Sequence, residues 1–125
     1  MLKQRTLRNP IKATGIGLHT GKNINMELHP AAPSSGISFI RTDVCKETII
    51  PAIAENVGDT SLSTALIKDN IKISTIEHLL SAIAGLGVDN CIIKVDGPEV
   101  PIMDGSSSPF VFLIQSSVTR IGLST

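Results

Sequence analysis

The sequence predicts an α+β fold, in which two α-helices pack on one face of a mixed or antiparallel β-sheet. Three observations support this prediction. Of the 125 residues, 42% are hydrophobic and 18% are charged, which suits the core of one domain spanning 1–125. Several short segments alternate apolar and polar residues, as half-buried strands do. Two longer segments, 75–86 and 108–117, carry apolar residues at helical spacing.

The clearest strand pattern lies in 23–30, where Ile24, Met26 and Leu28 alternate with polar residues. Its hairpin partner is predicted at 37–41, after a turn rich in Pro, Ser and Gly. The remaining extended or strand-like segments are, in chain order, 4–18, 48–57, 63–68, 70–75 and 90–97.

The second helix is predicted over 105–117, with Ser106 or Ser107 as its cap. An anion site at this helix start is one interpretation of the serine cluster. The carboxylates of Glu99 and Asp104 would repel an anion, so a rigid connection with an N-cap is favoured.

Charge and composition argue against several protein classes. The formal net charge is zero, there is no Trp or Tyr, and a nucleic-acid binder usually has a basic surface with stacking aromatics. No apolar run approaches the roughly 20 residues of a membrane span, and the N-terminus does not resemble a signal peptide. We therefore expect no nucleic-acid partner, no transmembrane segment and a cytoplasmic location. Cys45 and Cys91 belong to no C-x-x-C pattern and are expected to be reduced thiols.

Glu77 and His78, at the start of the first helix, admit two interpretations. Ser74 and Glu77 have the spacing of a capping box, so Glu77 would cap the helix while His78 faces solvent. Alternatively, Glu77 is a general base and His78 a metal ligand, since a helix N-terminus favours an ionised carboxylate and a neutral imidazole. A catalytic zinc usually needs three protein ligands, and neither His19 nor His29 shows short ligand spacing to His78.

Two further segments each admit two interpretations. The Gly-rich segment 13–23 lacks the spacing of a phosphate-binding P-loop, with Asn23 where Ser or Thr is required. It predicts a tight turn with His19 exposed at the tip, or a loop from which His19 reaches a site. The polar segment 57–66 is either a loop and edge strand or the lining of a cleft.

Four motifs in this order resemble the N-terminal half of the UDP-3-O-acyl-N-acetylglucosamine deacetylases, zinc amidases of lipid A biosynthesis in Gram-negative bacteria. They are IKATGIGLHTGK, GDTSLST, STIEHLLSAIAGLGVDN and EVPIMDGSSSPFVFLI. The resemblance extends over nearly the whole chain, apart from 116–125. It implies two similar domains, each a sheet with two helices, and an active site between them.

The resemblance also implies roles for individual residues. Glu77 matches the general base and His78 a zinc ligand, while Leu62 and Ser63 match the active-site entrance and His19 lies near the site. The other zinc ligands belong to an H-K-x-x-D motif of the second domain, which this sequence lacks. The resemblance thus implies Zn²⁺ as cofactor and a UDP-sugar lipid precursor as substrate.

The C-terminal domain of the same enzyme is the expected partner of this chain. Alone, the chain is expected to be inactive and prone to self-association through the surface that the other domain would cover. A non-catalytic α+β binding module, for example one that binds RNA, is the alternative function.

Overall fold

The computed structural model describes residues 4–44, 48–59, 64–102, 108–115 and 118–121. Within these ranges the chain forms ten strands, two α-helices and one 3₁₀ turn, which confirms the α+β prediction. The strands are β1 (Gln4–Leu7), β2 (Ile11–Ile16), β3 (Asn23–Pro30), β4 (Ile37–Arg41), β5 (Ile49–Pro51), β6 (Val57–Asp59), β7 (Thr64–Lys68), β8 (Ile71–Ser74), β9 (Cys91–Val95) and β10 (Val118–Ile121). The helices are α1 (Glu77–Gly85) and α2 (Ser108–Gln115), and the 3₁₀ turn is Ala54–Asn56.

The described strands form three sheets. The largest has the order β2-β3-β9-β4-β5, in which β9 runs antiparallel to β3 and parallel to β4, so this sheet is mixed. The strands β6, β7 and β8 form a second, antiparallel sheet. The third consists of β1 and β10, and β10 lies in the tail that carried no sequence signal.

The predicted hairpin between β3 and β4 is wrong, because β9 lies between them. The side chains of Cys91, Ile93 and Val95 on β9 are completely buried. A central position, where both edges of the strand are paired, removes the most apolar surface of β9 from water. The strand that forms a hairpin with β3 is instead β2, which precedes it in the sequence, and Ile16 lies opposite Asn23.

One apolar core joins the large sheet, the β6-β7-β8 sheet and the two helices. On β3, Ile24, Met26 and Leu28 are at most 2% exposed, which confirms the alternation seen in the sequence. The helices complete the same cluster with their inward residues, namely Leu79, Ala82 and Ile83 of α1 and Phe110 and Ile114 of α2. The buried side chains of both helices therefore belong to the same core as the apolar side chains of β3 and β9.

Cys91 is a free, buried thiol, in agreement with the prediction of reduced cysteine. Burial raises the pKa of this thiol to about 12, so it is a core residue rather than a reactive group. Cys45 lies outside the described residues. In the part of the chain that the structure describes, no helix is long and apolar enough to cross a membrane.

Candidate functional site

The start of α1 differs from the predicted capping box. Ser74 ends β8, and its backbone pairs with a neighbouring segment: its nitrogen donates to the Pro98 oxygen at 2.8 Å, and its oxygen accepts from the Val100 nitrogen at 2.9 Å. The chain then turns at Thr75, where φ is +61°, and Ile76 takes the cap position without a side-chain hydrogen bond. The capping box is wrong because sheet pairing holds Ser74 in the strand.

Glu77 is half-buried and is held by the neighbouring strand rather than by the helix cap. The backbone nitrogen of Thr64 donates to Glu77 Oε2 at 3.1 Å. The carbonyl oxygen of Thr64 in turn accepts from the Thr75 nitrogen at 3.0 Å. The first residue of β7 therefore fixes both the Glu77 carboxylate and the turn that leads into α1.

His78 is exposed, as are Ser81 and Gly85 further along α1. Ile76, Leu79 and Ile83 are buried. Helical spacing in the sequence predicts an apolar stripe opposite a polar side, namely Ile76, Leu79, Leu80 and Ile83 opposite Glu77, His78, Ser81 and Gly85. The structure confirms these two sides, except that Leu80 and Glu77 are both half-buried. The His78 imidazole therefore lies on the exposed side of the helix start, next to the oriented Glu77 carboxylate.

Among the described ranges, no group of three or more His, Cys, Asp or Glu side chains is arranged to hold a metal ion. His29 lies on β3 among the residues that alternate with the buried face, and its Nε2 lies 2.8 Å from Glu27 Oε1. This hydrogen bond lowers the pKa of the Glu27 carboxyl. His29 is therefore paired on the sheet face away from α1, and within the described residues His78 is the histidine at the helix start.

His19 lies in a tight turn between β2 and β3, as the sequence predicted, and its side chain is exposed. The turn is closed by backbone hydrogen bonds from Gly17 to Lys22 and from Gly21 to Gly17, each 2.9 Å long. The backbone nitrogens of His19 and Thr20 both donate to the carboxylate of Glu99. The exposed His19 side chain thus lies on a turn whose backbone is held by hydrogen bonds to the Glu99 carboxylate.

The contact between the Glu99 carboxylate and the His19 turn was not predicted from the sequence. The sequence suggested only that its charge repels an anion, whereas the structure buries it to 1% exposure against the His19 turn. The available signal in the sequence was a carboxylate inside the apolar, proline-containing segment 97–102, because a charged group that is buried in such a segment needs hydrogen-bond partners.

The segment 98–102 connects the two parts of the candidate site. Glu99 pairs with Ser74, three residues before Glu77, and Ile102 pairs with Ile16 at the base of the His19 turn. The described structure therefore brings the His19 turn and the start of α1 onto the same segment. Leu62 and Ser63 lie outside the described residues, as does 103–107 with Asp104 and the two proposed capping serines.

Comparison with known proteins shows which family the sequence matches. The family model described as UDP-3-O-acyl N-acetylglycosamine deacetylase matches residues 4–121. The UDP-3-O-acyl-N-acetylglucosamine deacetylase of Methylococcus capsulatus is 62% identical over 117 residues, which are 94% of this chain and 38% of that protein. The proteins of the same name from Cellvibrio japonicus and Coxiella burnetii are 62% and 57% identical over 117 residues.

The chain spans about two-fifths of the length of these relatives, 38% or 39%. The family match nevertheless includes every described strand and helix, together with Glu77, His78 and the His19 turn. The chain belongs to the UDP-3-O-acyl N-acetylglycosamine deacetylase family.

Proposed function

We propose that this chain supplies the N-terminal part of a zinc-dependent deacetylase that removes the N-acetyl group of UDP-3-O-acyl-N-acetylglucosamine and releases acetate. The observation that carries the proposal is the Glu77 carboxylate, half-buried and oriented by the Thr64 amide, directly beside the exposed His78. The names of the relatives supply the substrate class.

Glu77 acts as the general base in this proposal. The Thr64 amide donates to Oε2 and keeps the side chain in place. Oε1 then takes a proton from the water that attacks the amide carbonyl. A positioned base typically contributes about 10² to 10⁴ in rate.

Zinc fits the residue types here as a shared cofactor. His78 would be one ligand, since its imidazole is exposed beside an acidic group, and the remaining ligands would come from outside the described residues. When bound, zinc polarises the substrate carbonyl and lowers the pKa of water. The chain's own residues orient the base and supply one nitrogen donor.

His19, Leu62 and Ser63 are proposed to contact the substrate. For His19, the support is its exposure on a turn that is fixed to the same segment as the start of α1. For Leu62 and Ser63, the support is the family resemblance and their position immediately before Thr64 in the sequence.

A chimera tests the proposal directly. This chain would replace the matching 38% of the Methylococcus capsulatus relative, and acetate release from UDP-3-O-acyl-N-acetylglucosamine would be measured with and without added zinc. We expect zinc-dependent turnover by the chimera and none by residues 1–125 alone. A folded chimera that binds zinc but releases no acetate would overturn the proposal.

A further inference from the structure

We infer that Glu99 is a positioning residue that holds the His19 turn against the substrate. The hydrogen-bonded contact itself is an observation. Its consequence for turnover rests on the proposed function, because it requires His19 to meet the substrate.

The contact involves both oxygens of one carboxylate. Glu99 Oε1 accepts from the His19 nitrogen at 3.0 Å, and Oε2 accepts from the Thr20 nitrogen at 2.9 Å and lies 3.2 Å from the His19 nitrogen. Two successive amides of an exposed turn are therefore bound by one side chain that is about 80 residues away in sequence. Such a bond orients the backbone that carries His19, while leaving the imidazole free.

Burial makes this contact specific. Among the described residues, Glu99 is the one with an acidic or basic side chain that is buried, at 1% exposure. A buried carboxylate is costly unless hydrogen bonds replace its lost solvation. Among the residues that the structure describes, the donors to Glu99 are the two turn amides, so the carboxylate and the turn depend on each other.

The packing around Gly17 shows how closely the turn meets this carboxylate. A Cβ atom at Gly17 would lie 2.7 Å from Glu99 Oε2 and 2.4 Å from Thr20 Oγ1. No side chain fits between the turn and the carboxylate. Gly17 therefore allows the perturbation of the same contact from the other side, with the Glu99 side chain left intact.

The same segment reaches the other part of the candidate site. Ser74 pairs with Glu99, and its backbone bonds to Pro98 and Val100 on either side. The position of the His19 turn is thus tied to the strand that leads into α1 and Glu77. A shift at Glu99 would change the placement of His19 relative to the base.

Glu99→Gln is the informative variant, because it keeps the side-chain shape and loses one acceptor. The amide nitrogen of Gln would replace one of the two acceptors and face a backbone nitrogen, so a donor would meet a donor where the carboxylate supplies an oxygen. We expect kcat/KM of the chimera to fall about tenfold or more, since small misplacements of substrate-positioning groups have effects of that order. Zinc content should be unchanged.

The test is a double-mutant cycle in the chimera with Glu99→Gln, His19→Ala and the two combined. If Glu99 acts through His19, Glu99→Gln has little further effect in the His19→Ala background. Gly17→Ala should reproduce the loss, whereas Asp89→Asn should not. Asp89 also accepts a backbone amide, that of Arg5 at 2.8 Å, but it follows the opposite end of α1. Equal losses from Glu99→Gln in both backgrounds, or full activity of His19→Ala, would overturn the inference.

A second measurement does not depend on activity. In ¹H–¹⁵N spectra of this chain, the His19 and Thr20 amides should move upfield in Glu99→Gln, and their hydrogen exchange should accelerate about tenfold. Asp89→Asn should leave both amides unchanged. If Glu99→Gln does not fold, the chemical shifts and hydrogen exchange of the same two amides are measured in Gly17→Ala. Unchanged His19 and Thr20 amides in a folded variant would refute the contact, even if the chimera proved inactive for other reasons.

Discussion

The carboxylate of Glu77 lies 3.1 Å from the backbone nitrogen of Thr64, and this contact joins the start of α1 to the start of β7. The Thr64 oxygen accepts from Thr75 at the same junction. Glu77 is consequently oriented by a backbone amide, which every substitution of Thr64 except Thr64→Pro retains. His78, the next residue, has an exposed side chain, so the two neighbours are suited to different roles.

Glu77→Gln in the chimera should lower kcat by about 10² or more, because the amide cannot act as a base. Stability and zinc content should change little, since the Gln oxygen can still accept from Thr64. The measurements are steady-state kinetics, metal analysis and thermal melting. Glu55→Gln, at an exposed site in the 3₁₀ turn, is the charge-matched control and should be fully active. Near-normal turnover by Glu77→Gln would remove the base assignment.

His78→Ala should lose most of the zinc from the chimera, because a three-ligand catalytic site would be left with two protein ligands. Metal analysis after dialysis measures this loss. His29→Ala is the control, since His29 is paired with Glu27 on the other face of the sheet and should retain zinc. Stoichiometric zinc in His78→Ala would mean that another residue is the ligand.

This chain alone should fold cooperatively and remain inactive. The apolar core is formed from the chain's own residues on two sheets and both helices, so a single thermal transition is expected. Phe112 of α2 is 77% exposed, which favours self-association. Sedimentation at several concentrations should show this association, and Phe112→Ser should reduce it. A non-cooperative melt, or zinc-dependent turnover by the isolated chain, would contradict the prediction.

Thr75→Val should leave stability unchanged or raise the free energy of unfolding by about 1 kcal/mol, because it removes a buried polar group without a partner. Thr75 is 7% exposed, and its Oγ1 makes no hydrogen bond with the described residues. Urea unfolding measures the change.

Thr6→Val is the matched control for that prediction. The Thr6 hydroxyl donates to the Asn90 oxygen at 2.6 Å and accepts from the Ala31 nitrogen at 3.0 Å. Its loss should cost about 1 to 3 kcal/mol, because the buried Asn90 carbonyl and the half-buried Ala31 amide both lose a partner. A comparable loss in Thr75→Val would show that the Thr75 hydroxyl has a partner after all.

The sequence was sufficient where the signal is local. Alternation in 23–30 identified β3 and its buried face, and helical spacing after Ile76 identified the buried and exposed sides of α1. The turn at His19 followed from the glycines around it, and Gly21 indeed adopts a φ of +69°. The resemblance of the motifs pointed to the family that the comparisons then showed. Each of these conclusions depends on neighbours in the chain or on whole motifs.

Tertiary structure decided which distant segments meet. The order of strands in a sheet depends on which strand buries the most apolar surface at the centre. The structure places β9 between β3 and β4, the strand that sequence proximity suggested as the partner of β3. Pairing of Ser74 with the segment around Glu99 displaced the helix cap and left Glu77 to the amide of Thr64. The buried contact between Glu99 and the His19 turn joins residues 80 positions apart. Hydrogen-bond partners at such separations are selected by the packed fold, because the backbone groups involved are alike in every residue and leave no trace in the sequence.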